Sequence, residues 1–183
     1  LNASSDYDVE SREDITTVLS PTQINDFLAL VLAEDIDTKH LGSFVTHFLK
    51  NAWLQGERDF KLNLGSSSLN YLFSKDHALG DFRFLNITVE IDGNVGSGFG
   101  TCAVNSFFKA NDFGMLCFNS AYGLVVHGNR YGFASGSSVS DCTFYGDTFG
   151  KKIGTSSTRS RFVGQIFGDK AGHNSSGSNF EAD

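Results

Sequence analysis

The 183-residue sequence is poor in several residue types, and each shortage narrows the class of protein. It contains one Pro and one Trp, and no apolar run approaches the roughly 20 residues that cross a bilayer. Lys and Arg number 14 against 21 Asp and Glu, and the net charge of −7 offers no basic excess for binding nucleic acid. We therefore expect neither a membrane protein nor a nucleic-acid-binding protein.

Cysteine is also scarce. Cys102, Cys117 and Cys142 form no CxxC pair, and an odd number of thiols cannot all pair within one chain. The acidic start LNASSDYDVE lacks the basic and then apolar layout of a signal peptide. These features predict reduced thiols and a cytoplasmic location.

Glycine and phenylalanine are abundant, with 20 Gly and 18 Phe. The first 56 residues differ from the rest in the spacing of their apolar residues. An acidic leader is followed by SPTQINDFLALVLAED, which predicts a helix because Ser20 can cap it, Pro21 suits its first position and Gln23 completes a capping box. DTKHLGSFVTHFLKNAWLQG predicts a second, amphipathic helix that stops at Gly56.

After Gly56 the apolar residues alternate with polar ones, which predicts strands. The alternating residues are Phe60, Leu62, Leu64, Phe82, Phe84, Ile87, Val89 and Ile91.

An internal repeat of 18 residues then dominates the chain: YGDTFGKKIG (145–154) matches the segments at 127–136 and 163–172, and further segments at 109–118 and 91–100. One column of the repeat contains glycine: Gly96, Gly114, Gly132, Gly150 and Gly168. A second is mainly aromatic: Phe108, Val126, Phe144, Phe162 and Phe180. A third is Phe99, Cys117, Ser135, Ile153 and Ala171.

Such a repeat predicts a solenoid in which each coil, one turn of the chain, stacks about 4.8 Å from the next. Inward positions are expected at 140, 144, 149, 153, 158, 162, 167 and 171. These steps of four and five fit neither hexapeptide nor pentapeptide repeats.

We interpret the recurrent glycines as corners, because glycine adopts positive φ without steric cost. The predicted structural corners are Gly93, Gly96, Gly100, Gly114, Gly128, Gly132, Gly136, Gly146, Gly150, Gly154, Gly164, Gly168 and Gly172.

The unit GNVGSGFG, with Gly93, Gly96 and Gly100, resembles the G-x2-G-x3-G unit of the GXGXG family. That family comprises the C-terminal domain of the glutamate synthase large subunit and one of the subunits of formylmethanofuran dehydrogenase. The preceding ITVEID is similar to the strand that leads into each unit, whereas the family's Met and double Gly near the next corner are absent. Over residues 84–183 the resemblance implies a right-handed β-helix without catalytic residues or cofactor, which supports neighbouring domains or subunits.

One polar column, Asn111, Asn129, Asp147 and Gln165, is a candidate ligand groove. The alternative, which we favour, is a turn ladder in which Asn and Asp side chains bond nearby backbone. The serine-rich corners at 137–140, 155–160 and 175–178 have the same two interpretations, as a carbohydrate site or as turns that face solvent.

Other polar groups favour structural roles. Lys151, Lys152 and Lys170 beside Asp169 predict a solvated rim of mixed charge. The three cysteines lie in different columns, which predicts no metal site, and Cys117 is expected in the core.

His127 shares a column with Lys109 and Tyr145. We expect no carboxylate in that column, so nothing there predicts a catalytic dyad.

The sequence thus predicts a mainly β protein: a right-handed single-stranded parallel β-helix with 18-residue coils over 57–183, and a leader with a two-helix cap over 1–56. Because solenoid ends expose strand edges, we expect the helices to cover one end and a protein partner or a second copy to cover the C-terminal end. The expected function is a non-catalytic scaffold or interaction domain without cofactors. The resemblance implies a structural place within an oxidoreductase assembly.

The alternative function is a carbohydrate-binding or polysaccharide-lyase-like β-helix. It would need a face of charged or aromatic residues, and stabilisation by calcium would favour a lyase. Asp92, Asp112, Arg130, Asp147 and Arg161 are expected to be scattered between columns, which counts against it.

Overall fold

The computed structural model describes residues 16–34, 41–74 and 83–182. Within them the predicted fold is confirmed: a mainly β parallel solenoid of about five turns with two helices near its N-terminus. The predicted leader up to residue 15, and Phe82 of the predicted strands, lie outside the described residues.

Both predicted helices are present. α1 (Pro21–Ala33) begins with the predicted capping box, in which the Gln23 backbone N–H donates to Ser20 Oγ and the Ser20 N–H donates to Gln23 Oε1. α2 (Leu41–Leu54) packs its apolar face into the core, and Gly56 follows it with φ of 102°.

Eleven strands build the described part of the solenoid. They are β1 (Asp59–Asn63), β2 (Thr88–Asp92), β3 (Phe107–Lys109), β4 (Asp112–Phe113), β5 (Val125–His127), β6 (Arg130–Tyr131), β7 (Thr143–Tyr145), β8 (Thr148–Phe149), β9 (Arg161–Gly164), β10 (Ile166–Phe167) and β11 (Asn179–Ala182).

The strands form two parallel sheets along the solenoid. The seven-stranded sheet has the order β1-β2-β3-β5-β7-β9-β11, and the four-stranded sheet has the order β10-β8-β6-β4. A third ladder of single bridges joins Val104, Tyr122, Ser140, Thr158 and Ser176 in successive coils. Each coil therefore has three hydrogen-bonded sides around one core.

The repeat of 18 residues holds from Phe107 onward, where Phe107 pairs with Val125 and Val125 with Thr143. The coil before it is longer by one residue in the first sheet, where Thr88 pairs with Phe107. Val95 nevertheless pairs with Phe113 in the second sheet at the normal spacing. The extra residue therefore lies at the corner near Gly93, which has φ of 126°.

Of the predicted inward positions, Phe144, Phe149, Ile153 and Phe162 are buried, and Phe167 and Ala171 are half-buried. The prediction for 140 and 158 is wrong, because Ser140 and Thr158 belong to the third ladder and are half-buried. The side chains that fill the core beside this ladder are Val139, Cys142, Ser157 and Ser160.

The explanation of glycines by positive φ is correct for five of the thirteen, Gly93, Gly100, Gly136, Gly154 and Gly172, and wrong for the rest. In the central column the reason is close approach: a Cβ on Gly132 would lie 2.7 Å from the carbonyl carbon of Gly114. Gly114, Gly150 and Gly168 meet the backbone of the preceding coil in the same way, and Gly96 meets that of Asn70. These glycines let successive coils stack at strand distance.

Many left-handed positions carry other residues. Ala134, Lys152 and Lys170 have φ of 55° to 60° in one column, and Asp141 and Arg159 have φ of 55° and 46° in another. L residues in this region cost roughly 1–2 kcal/mol each, and the regular ladders around them must compensate for it.

The helices cover the first strand of the solenoid. The Asn63 N–H donates to Asn25 Oδ1 of α1 at 3.0 Å, and Asn25 Nδ2 donates to the Lys61 carbonyl. Asn25 thereby bonds β1 as a neighbouring strand would. α2 adds Thr46, whose Oγ1 accepts from the Phe73 N–H at 3.1 Å.

The other end has no such cover among the described residues. β11 pairs with β9 and β10 pairs with β8, and no described strand lies on the outer edge of either. Phe167 and Phe180 end the two aromatic columns and are half-buried, whereas Phe149 and Phe162 beneath them are fully buried.

Candidate binding groove

A groove of about 760 Å³ runs along the corner between the two sheets. Two columns of outward side chains form its walls, one from the strands of the larger sheet and one from the corner that follows them. The groove crosses six successive strands of that sheet, from β1 to β9, where Val163 is its last lining residue. This groove, with convergent polar groups from several strands, is the candidate functional site.

The first wall is the strand column, which consists of Lys61, Glu90, Lys109, His127, Tyr145 and Val163. These side chains point outward because the residues on either side of them in each strand point inward. The expectation that the column of His127 has no carboxylate is wrong, since Glu90 pairs with Lys109 there. The extra residue near Gly93 moves Glu90 one place away from the strict repeat.

The rings of His127 and Tyr145 stack at 4.6 Å between centroids with an interplanar angle of 22°, and Phe107 lies at 5.5 Å from His127. Stacking restrains both rings at the groove wall. They add one imidazole and one phenol as hydrogen-bonding groups to a wall that also contains three charged side chains and one apolar side chain.

The second wall holds most of the amide column that the sequence singled out. Asn111, Asn129 and Asp147 line the groove, and Asn63 and Asp92 precede them, whereas Gln165 is not among the lining residues.

The predicted turn ladder exists in the backbone alone. The Asn129 N–H donates to the Asn111 carbonyl at 2.6 Å, and the Asp147 N–H donates to the Asn129 carbonyl at 2.8 Å. Within the described residues, the side chains of these three residues make no hydrogen bond to the nearby backbone. The three residues are exposed, and they border both this groove and a second cavity on the side of Asp112 and Arg130.

The floor of the groove is a column whose side chains become smaller toward the C-terminus: Leu62, Ile91, Ala110, Gly128 and Gly146. A Cβ on Gly128 would lie 2.6 Å from the ring of Phe113, and one on Gly146 would lie 2.5 Å from the Gly128 carbonyl oxygen and 2.6 Å from the ring of Tyr131. The sequence placed these glycines at corners, but their absence of a side chain makes room for core rings and leaves a floor of backbone.

Of the five charged residues expected to be scattered between columns, Asp112 and Arg130 share one, and outside the groove charged residues form pairs between coils. Arg130 pairs with Asp112, and Arg159 pairs with Asp141 at 2.6 Å, each from one coil to the next. The hydrogen bond from Arg159 lowers the pKa of Asp141 below its ordinary value. The arginines are mostly exposed, and such pairs contribute little to stability.

The rim near Lys151 has the predicted mixed charge. Lys151 Nζ lies 3.1 Å from the Asp169 carboxylate, and both side chains are largely exposed. Lys152 Nζ lies 5.2 Å from the centroid of Phe133.

Cys117 and Cys142 are buried, and Cys102 is half-buried. Burial raises the pKa of Cys117 to about 12 and that of Cys142 to about 11. Both thiols therefore stay protonated at neutral pH and are poor nucleophiles. Among the described residues, no group of three or more His, Cys, Asp or Glu is placed to hold a metal ion.

Neither of the two described helices has the length and apolar character to span a bilayer. Comparison of the chain with models of protein families, with curated proteins and with solved structures finds no match.

Proposed function

We propose that this chain is a non-catalytic scaffold and interaction domain, which associates through the C-terminal end of its solenoid with a second copy of itself. The difference between the two ends of the larger sheet carries the proposal. Asn25 and α1 occupy the edge of β1, whereas the edge of β11 and the ring of Phe180 have no cover among the described residues. Open edges of this kind pair readily with another chain.

The chemistry of the last coil supports a second copy as the occupant. In a two-fold contact a surface meets itself, so it must contain both signs of charge. Asp169 and Lys170 are adjacent and exposed, and they follow the exposed Ile166 and the half-buried Phe167, whose ring lies 5.8 Å from that of Phe180. An apolar centre with a charged rim is the usual composition of an interface.

Sedimentation velocity of the 183-residue chain between about 1 and 100 μM tests the proposal, because association depends on concentration. Ile166 is 59% exposed on β10 at the open end, and Val125 is 40% exposed on β5 in the middle of the solenoid. We expect Ile166→Lys to weaken self-association by at least about tenfold and the matched control Val125→Lys to change it by less than about threefold. A monomer at every concentration, or equal effects of the two variants, would contradict the proposal.

The resemblance to the GXGXG family extends the proposal to a structural place within an oxidoreductase assembly, and the free thiols support a cytoplasmic location. Cross-linking in the cells that make the protein tests this extension. Cross-links from Lys170 to a redox protein would support it, and cross-links to another copy alone would limit the function to self-association.

A further inference from the structure

We infer that the groove beside the amide column is a binding site for a neutral, extended oligosaccharide. This site lies on the flank of the solenoid and is independent of the association proposed for its end. Its walls come from six successive strands and the corners after them, so the site is as long as several coils.

The period of the groove favours a polymer with short, regular units. Because the coils are paired strands, equivalent side chains recur about every 4.8 Å. One pyranose unit of an extended β-linked polysaccharide advances by close to this distance. Asn111, Asn129 and Asp147 therefore present one polar group to each successive sugar.

These polar groups suit hydroxyl ligands. Each Asn side chain offers two donors and one acceptor oxygen, and the Asp147 carboxylate accepts hydrogen bonds. The three side chains have no hydrogen-bond partner among the described residues, while their backbones are already bonded between coils. Ligand binding thus needs no rearrangement of the ladder.

The charges of the groove favour a neutral chain over a polyanion. Along the strand column, Glu90 lies between Lys61 and Lys109, so the signs alternate from coil to coil. Asp92 and Asp147 add negative charge on the opposite wall. A uronate chain, with a carboxylate on every sugar, would meet like charges along that wall.

Isothermal titration calorimetry with cellohexaose, mannohexaose, xylohexaose and N-acetylchitohexaose tests the inference. We expect at least one to bind with a Kd below about 1 mM, and we expect affinity to rise with chain length up to about five sugars. Hexagalacturonate should bind at least about tenfold more weakly than the best neutral ligand.

A matched pair of variants tests the site itself. Asn129→Ala removes an amide that lines the groove, and Gln165→Ala removes the amide of the same column that does not line it. With the best hexasaccharide we expect Asn129→Ala to weaken binding by about tenfold, the effect of losing one or two hydrogen bonds. Gln165→Ala should change affinity by less than about twofold. Circular dichroism and the Tm of both variants control for folding.

The inference is overturned if none of the four neutral hexasaccharides binds, if hexagalacturonate binds more tightly than all of them, or if the two variants have equal effects. Binding of an extended Gly-Ser peptide at similar affinity would also overturn it. The Ile166→Lys variant separates the two proposals, because it should lose self-association and retain oligosaccharide binding.

Discussion

The early and the late coils differ in what lies above and below each ring of the first sheet. In the late coils Phe144, Phe162 and Phe180 follow one another in a single column and stack, with interplanar angles of 1° and 3° and centroids 4.8 and 4.7 Å apart. In the early coils both column neighbours of Phe108 are valines, so its ring meets Phe99 of another column instead, edge to face at 82°. Rings of different columns meet edge to face in the late coils too, as Phe149 and Phe162 do at 84°. The residue at the same position of the next coil therefore decides whether a ring stacks.

The change between the two arrangements occurs where a large residue in one column accompanies a small residue in the neighbouring column. Val126 interrupts the column of Phe108 and Phe144, and the ring of Phe118 lies 5.3 Å from Phe108 and 5.8 Å from Phe144. In later coils the position of Phe118 is glycine, and a Cβ on Gly154 would lie 2.7 Å from the ring of Phe162. A large residue in one column thus goes with a small one in the other.

The largest expected effect comes from reversing this exchange. Phe118→Gly should cost about 4 kcal/mol of unfolding free energy through the cavity it leaves, partly offset because Phe118 has φ of 60°. Val126→Phe alone should cost about 2 kcal/mol through overpacking. In the double variant the new ring takes the empty space, so we expect the two costs to fall short of additivity by about 2 kcal/mol. Urea unfolding followed by circular dichroism measures all three, and additive costs would contradict this account of the core.

A second comparison separates the two reasons for glycine. Gly132→Ala should cost about 2–3 kcal/mol, because the new Cβ meets the backbone of the preceding coil. Gly65 has φ of 54° and open space around its Cβ position, so Gly65→Ala should cost only about 1 kcal/mol of backbone strain. Urea unfolding of both variants checks the order. A larger loss for Gly65→Ala would show that backbone conformation, rather than stacking distance, dominates.

The smallest expected effect concerns the buried thiol of Cys117, which lies one coil after Phe99 in the same column. Burial raises the pKa of the Cys117 thiol from 9.0 to about 12, so the folded chain keeps a proton that the unfolded chain loses between these values. This thiol should therefore leave stability unchanged below about pH 9 and lower it as the pH rises further.

Comparison with Cys117→Ala isolates this contribution from other groups that titrate at high pH. Between about pH 8 and about pH 10, the wild-type chain should lose about 1 kcal/mol more unfolding free energy than the variant. Parallel pH profiles of the two proteins would show that Cys117 does not titrate differently on unfolding.

The sequence predicted the elements whose signals are local or strictly periodic. Ser20 and Gln23 marked the start of α1, and the columns of Phe144 and Phe149 marked the core. It did not predict the position of Glu90 beside Lys109, because the repeat was aligned on its glycines. One extra residue at a corner shifts the strand before it without disturbing the ladder after it.

The candidate groove was predicted in part for a similar reason. The amide column was visible as a repeat of polar residues, yet its opposite wall depends on the shifted register of β2. The floor was misread because Gly128 and Gly146 have the same letters as the stacking glycines but face the rings of Phe113 and Tyr131. A glycine in a sequence repeat does not reveal whether a side chain at its position would contact backbone or a core ring.

The contact between Asn25 and β1 has a further consequence for local opening of the molecule. Asn25 holds the outer edge of β1 with two hydrogen bonds, whereas no described residue bonds the outer edge of β11. In a linear array each unit depends on its neighbours, so unfolding of the isolated chain should begin at the last coil and move inward. Amide hydrogens would then exchange with solvent along a gradient, slowest next to the helices and fastest around Phe180. The order of local opening would thus follow the order of the coils.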